Sequence, residues 1–133
     1  LRASVVMPGH IGTSIAINSG KLLGNDPKEM SAEKLEKARE RMAKGGIDTS
    51  AFSDEDLRVL MIAGGESFRD NAPMSAAEAA TFILDSVQQG DWRILVGDDA
   101  VILDEMVRLT PKDAYLPDFM DKVRERGAFG FTR

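Results

Sequence analysis

The residue types best suited to chemistry lie together near the start of the sequence, in Val5-Val6-Met7-Pro8-Gly9-His10-Ile11-Gly12-Thr13. An apolar, β-branched run from Ala3 to Met7 halts at Pro8-Gly9, the pattern of a buried parallel strand ended by a turn. In an open α/β sheet, ligands bind beyond the carboxyl ends of the strands, which is where Pro8 to Thr13 fall. A Pro-Gly turn lets the main chain leave the strand sharply and present backbone groups to a ligand. Thr13 adds a hydroxyl and opens a helix, whose free N–H groups favour an anion nearby. His10 is the single imidazole of the chain. Beside the turn it is expected to line the substrate side of a pocket rather than to transfer protons, since a lone imidazole is usually polar lining. Asn18 and Ser19, on the next helical turns, border the same pocket.

Other constellations carry less. Asp98-Asp99 with Asp104-Glu105 do not match a calcium loop, because the central Gly and terminal Glu are out of register; Asp98 or Asp99 reads as the cap of a helix. There is no Cys, which excludes thiolate and disulfide chemistry, and one His cannot build a zinc site.

The elements that must position these residues follow from periodicity and caps. Thr13 or Ser14 opens a helix to about Leu23, and Asn25-Asp26-Pro27 is a turn. Ser31 opens a second helix to about Lys44, closed by Gly45-Gly46, with Met30, Leu35, Ala38 and Met42 as its apolar stripe. Ser53-Asp-Glu-Asp56 is a capping box with Asp in place of Glu; its helix carries Leu57, Leu60 and Met61 and is expected to bend, or to form a flexible surface segment, at Gly64-Gly65. Ser75-Ala-Ala-Glu78 is a full capping box, opening a helix with Ala76, Ala79, Ala80, Ile83 and Val87 inward and Gly90 as its stop. Trp92 to Val96 is the second strand, and Val101 to Val107 a further helix that stops before Pro111. The segment Asp113–Arg126 is weakly helical, and Gly127–Arg133 reads as a loose end.

Strand, helical insertion, capped helix, strand is the order of a parallel crossover, hence α/β. The 133 residues amount to about one domain. Two strands apolar on both faces call for more sheet, and with the first strand already under way at Ser4, sequence is expected to precede Leu1. Composition is globular, 43% hydrophobic and 29% charged, with a net charge of −5. That balance argues against nucleic-acid and anionic-membrane partners, which reward clustered positive charge. The basic end at Arg124, Arg126 and Arg133 is expected to be surface charge. Apolar runs fall well short of the roughly 18 residues that span a bilayer, so a soluble, cytoplasmic protein is expected.

Pro8-Gly9-x-Ile11-x-Thr13, followed by the helical region 14–72, the capped helix 75–89 and the strand 92–96, resembles the short-chain dehydrogenase/reductase family over essentially the whole chain, as that family's C-terminal part. The resemblance implies the last two strands of a Rossmann-like doubly wound parallel sheet with a helical substrate-loop insertion at 14–72 and a tail at 113–133. It implies NAD or NADP as cofactor and an alcohol or carbonyl compound as substrate, interconverted by hydride transfer. Pro8 and Gly9 would shape the turn, while the Ile11 backbone and the Thr13 hydroxyl would hold the nicotinamide carboxamide; His10 and Asn18 would face substrate. A homo-oligomer is implied, with Ala76–Val87 and Trp92–Val96 near the subunit interface. The family's Tyr-x-x-x-Lys is missing here, since Tyr115 is followed at that spacing by Phe119; so is the glycine-rich phosphate loop, Asp26 standing where its third glycine belongs. The chain alone is therefore expected to be inactive. The competing expectation is a non-catalytic α/β binding module that docks a partner on the helices of residues 26–72.

Overall fold

The structure is a computed structural model and describes residues 1–130. The chain is mixed α/β and divides into two compact units, one made of residues 1–12 with the chain from residue 72 onward, the other of residues 13–71.

In the first unit, strand β1 (Val5–Pro8) runs parallel to β4 (Arg93–Val96), with Val5 opposite Arg93 and Pro8 opposite Val96. Pro8 closes β1 at a position whose nitrogen faces away from β4, so the ladder loses no bond, and it is extended by the Gly9 N–H, which donates to the Val96 carbonyl at 2.8 Å. A second parallel ladder joins β2 (Ile11–Gly12) to β3 (Met74–Ser75). Two-residue strands have no periodicity to read, and the sequence pattern carries no sign of this one. Between β3 and β4 runs helix α4 (Ala76–Gln89), packed on β4. Ile94 and Val96 alternate inward and meet Ile11 and Ala79, with Met74 and Ile83 at the margin.

This core differs from expectation on two sides. Of the small-residue stripe predicted for α4, only Ala79 is buried and Ile83 half-buried, while Ala76, Ala80 and Val87 are exposed. The first strand is not buried either: Val5 and Val6 are 53% and 38% exposed. The reason is local. Among the described residues β1 pairs with β4 alone, so its second edge has no neighbour to bring covering side chains.

The capping box that opens α4 forms as its residues require. Glu78 N–H donates to Ser75 Oγ, and Glu78 Oε2 accepts from the Ser75 N–H at 2.8 Å and from its hydroxyl at 2.6 Å. Gly90 ends the helix in the left-handed conformation, φ +87°. The Ser75 hydroxyl, followed by the Ser75 N–H, holds the Glu78 carboxyl below its ordinary 4.5. A carboxylate depressed in the folded state stabilises above its unfolded pKa, and that contribution is lost as pH falls through the lower folded value. Ser75→Ala is therefore expected to lower the melting temperature near neutrality and to flatten the loss of stability between about pH 5 and pH 3. Thermal unfolding of both proteins across that range checks it; parallel curves would remove the reciprocal cap as the cause.

Helix α5 (Asp98–Leu109) follows β4, and its N-cap is Gly97 at φ +91° rather than Asp98 or Asp99. The correction has a physical cause: the glycine turns the chain into the helix, which places both aspartates already inside the first turn. Arg93 pairs with Asp104 on α5, and Arg108 donates to the same carboxylate at 3.0 Å. The 3-10 turn Asp113–Tyr115 and helix α6 (Phe119–Glu125) then lie back on α5. Phe119, Val123 and Ala128 form a second small core with Ile102, Leu103 and Met106 against it. Ala128 is thus buried and Phe129 partly so, which corrects the loose-end reading for Gly127–Gly130; residues 131–133 lie outside the described residues.

The second unit is helical throughout. Helix α1 (Ile15–Leu22) takes Ser14 as N-cap without a side-chain bond, so Thr13 stands outside it. Helix α2 (Ala32–Lys44) starts on Ser31 and α3 (Asp54–Asp70) on the Ser53–Asp56 capping box, both as the sequence predicts. Met30, Leu35, Ala38 and Leu57 are the core between α2 and α3, with Met42 and Met61 beside them. Arg39 donates to the Thr49 carbonyl and to Asp54, both at 2.9 Å, and Arg58 donates to the carbonyls of Pro27 and Met30, so each loop is fastened to a helix. The expected bend at Gly64-Gly65 does not occur; α3 is continuous. A Cβ on Gly65 would stand 3.1 Å from Ile17 Cγ1, so that glycine permits the close approach of α1 rather than interrupting the helix.

Candidate functional site

The Pro8–Gly12 segment is built by the parallel register itself. Because Pro8 lies opposite Val96, the two strands end side by side, and Gly9 and Gly97 leave them at the same level. What joins the two turns is Asp99. Its Oδ2 accepts the His10 backbone N–H at 3.0 Å, a buried bond between residues 89 positions apart. Asp99 is 6% exposed and sits in the first turn of α5, where the helix dipole favours a carboxylate. Its other oxygen, Oδ1, is buried and has no hydrogen-bond partner among the described residues.

The two glycines make room for this carboxylate. A Cβ at Gly9 would lie 2.5 Å from Asp99 Oδ1, 2.8 Å from its Cγ and 3.0 Å from the Ala100 nitrogen. A Cβ at Gly97 would lie 3.2 Å from the same Oδ1 and 3.8 Å from Ile11 Cδ1. The space beside Gly9 is thus filled from within the protein.

The residues singled out from sequence fall as follows. Pro8, Gly9, His10 and Ile11 are consecutive at the carboxyl end of β1, in the strand-bearing unit. His10 is buried, 6% exposed. Ile11 turns its side chain into the core, and its main chain pairs with Met74. Thr13 is the first residue of the helical unit; it is half-buried, and among the described residues no hydrogen bond engages its hydroxyl. Asn18 is exposed on α1. Asp99 is the residue the sequence reading missed in this role. The signal was present as a Val-Gly-Asp-Asp turn ending one strand and a Met-Pro-Gly turn ending another, but only the pairing register shows that they meet.

The aspartates and Glu105 do not gather around a cation: among the described residues no group of three or more His, Asp or Glu is disposed to hold a metal. No helix among them is long and apolar enough to cross a membrane. In the helical unit a shallow cavity of about 460 Å³ is lined by Glu36, Arg39, Glu40, Asp48, Thr49 and Phe52 among others, none of them singled out from the sequence. Comparison with protein-family models, with curated proteins and with solved structures finds no match to the chain.

Proposed function

We propose that the chain is the C-terminal part of a short-chain dehydrogenase/reductase, in which the Pro8–Thr13 segment grips the nicotinamide end of NAD or NADP. The observation that carries the reading is the parallel pairing of β1 with β4, which sets the Pro8-Gly9 turn at the carboxyl end of a sheet, where open α/β folds bind ligands. The exposed Val5 and Val6 support it as well. Parallel strands are normally covered on both faces, so an apolar strand with a bare edge calls for neighbouring strands of a Rossmann-like sheet.

The residues present suit the group. A carboxamide offers a donor and an acceptor, and a hydroxyl can meet either; among the described residues no hydrogen bond engages the half-buried Thr13 hydroxyl. When bound, the cofactor would supply the hydride that interconverts an alcohol and a carbonyl compound. The chain's own part is orientation. Holding the carboxamide at Ile11 and Thr13 would fix which ring face meets substrate. A general acid and the phosphate-binding loop would come from polypeptide preceding Leu1, and the proton transfer belongs there. Phe82, Leu84 and Val87 of α4 and Trp92 just before β4 are exposed apolar residues, which supports assembly into a homo-oligomer.

In the full-length protein, Thr13→Val is expected to weaken NADH or NADPH binding by up to about tenfold, the value of one hydrogen bond. Fluorescence titration of the reduced cofactors checks this. Affinity and turnover equal to the parent's would remove Thr13 from the site. Upstream gene sequence offers a second check: a glycine-rich strand–helix turn and a Tyr-x-x-x-Lys ahead of Leu1 are expected, and an in-frame start directly before Leu1 would favour the binding module.

A further inference from the structure

We infer that Asp99 is a positioning residue for this site: its carboxylate pins the Gly9–Gly12 segment to the start of α5 and so sets where the main chain presents itself to the cofactor. The inference rests on the reading above for its consequence, but the anchor itself stands on geometry. Three observations converge on it. The His10 N–H is buried and satisfied by Asp99 Oδ2, so the segment's path depends on a side chain 89 positions away. Gly9 cannot carry a Cβ because that carboxylate occupies the space, and Gly97 is nearly as tight. Oδ1 is buried with no partner among the described residues, so the bond from the His10 N–H to Oδ2 is the one hydrogen bond they give this carboxylate. A plain helix cap would have bonded to α5's own N–H groups; Asp99 turns away from its helix to bond the neighbouring strand's turn instead.

An anchor of this kind acts through the acceptor it provides, which separates it from a residue that only fills volume. Asp99→Asn keeps an oxygen for His10 N–H, whereas Asp99→Ala removes it. In the full-length protein, Asp99→Ala is expected to raise amide hydrogen exchange at His10 by about tenfold or more and to weaken NADH or NADPH binding by a similar factor, while Asp99→Asn stays within about threefold of the parent on both. Should Asp99→Ala fail to fold, Asp99→Thr takes its place, since its hydroxyl stops short of the His10 nitrogen while its methyl keeps part of the volume. Unchanged exchange at His10 in the acceptor-less variant would overturn the anchor, whatever happens to cofactor. Faster exchange with parental affinity would overturn its service to binding, and an Asn variant as impaired as the Ala variant would overturn the hydrogen bond as its basis. If the parent itself binds neither reduced cofactor, the dehydrogenase reading fails, and exchange at His10 still decides the anchor.

Discussion

Gly9→Ala is expected to destabilise the strand-bearing unit by about 1–3 kcal/mol, the cost of overpacking a closed site. The backbone conformation is not the reason, for Gly9 is not among the glycines with positive φ. The cost comes from collision: the new methyl meets Asp99 Oδ1 at 2.5 Å and the Ala100 nitrogen at 3.0 Å. One of these contacts is a side chain and the other is backbone at the first turn of a helix, which cannot retreat freely. The carboxylate must therefore leave, and with it the bond to His10. Under the proposed dehydrogenase reading, this variant should lose NADH or NADPH affinity together with stability. A double-mutant cycle isolates the cause. With Asp99→Ala in the background, the two closest contacts are gone and the Ala100 nitrogen at 3.0 Å remains, so the cost of Gly9→Ala should shrink by about 0.5–3 kcal/mol, the range of coupling for residues in contact. Denaturant unfolding of the four proteins measures it, and strictly additive losses would mean that Gly9 is small for some reason other than Asp99.

Local chemistry made much of this architecture legible. Ser31, Ser53 and Ser75 each start a helix where the sequence pattern puts one, because a cap needs only residues within one turn of each other. The stripe Met30, Leu35, Ala38 and Met42 identified the core of the helical unit for the same reason, since a helix's inward face is written at fixed spacing. The parallel partnership of the two convincing strands followed from the capped helix that precedes the second.

What escaped depends on contacts distant in sequence. Gly64-Gly65 predicts a bend or a flexible surface segment, yet α3 is continuous and Gly65 admits Ile17 from α1, a demand that its own helix does not display. Asp98 or Asp99 reads as a cap because an Asp just after a strand-ending Gly usually caps the next helix; that the Asp99 carboxylate crosses to His10 depends on Pro8 lying opposite Val96, and register is a property of the pair, not of either strand. For the candidate site the balance is similar. The Pro8–Thr13 turn announced itself, whereas the group that holds it in shape lies near the other end of the sequence.

The largest loss of stability is expected from Leu57→Ala, about 2–5 kcal/mol, falling on the helical unit. Leu57 is 0% exposed and is the one fully interior side chain that α3 contributes to a core of only four buried residues. Removing three carbons there withdraws a large share of what holds α2 and α3 together. Two neighbours soften the blow: Met42 and Met61 border the cluster, and an unbranched thioether chain can swing into part of the vacated space, which favours the lower half of the range. Val59→Ala is the control on the same helix, 57% exposed, and should cost no more than about 0.5 kcal/mol. Circular dichroism on urea titration would compare the two, with hydrogen exchange reporting whether residues 31–70 open first. Equal losses for Leu57 and Val59 would mean that α3 does not present the face assigned to it, and the packing of α2 against it through Leu35 and Ala38 would fall with that assignment.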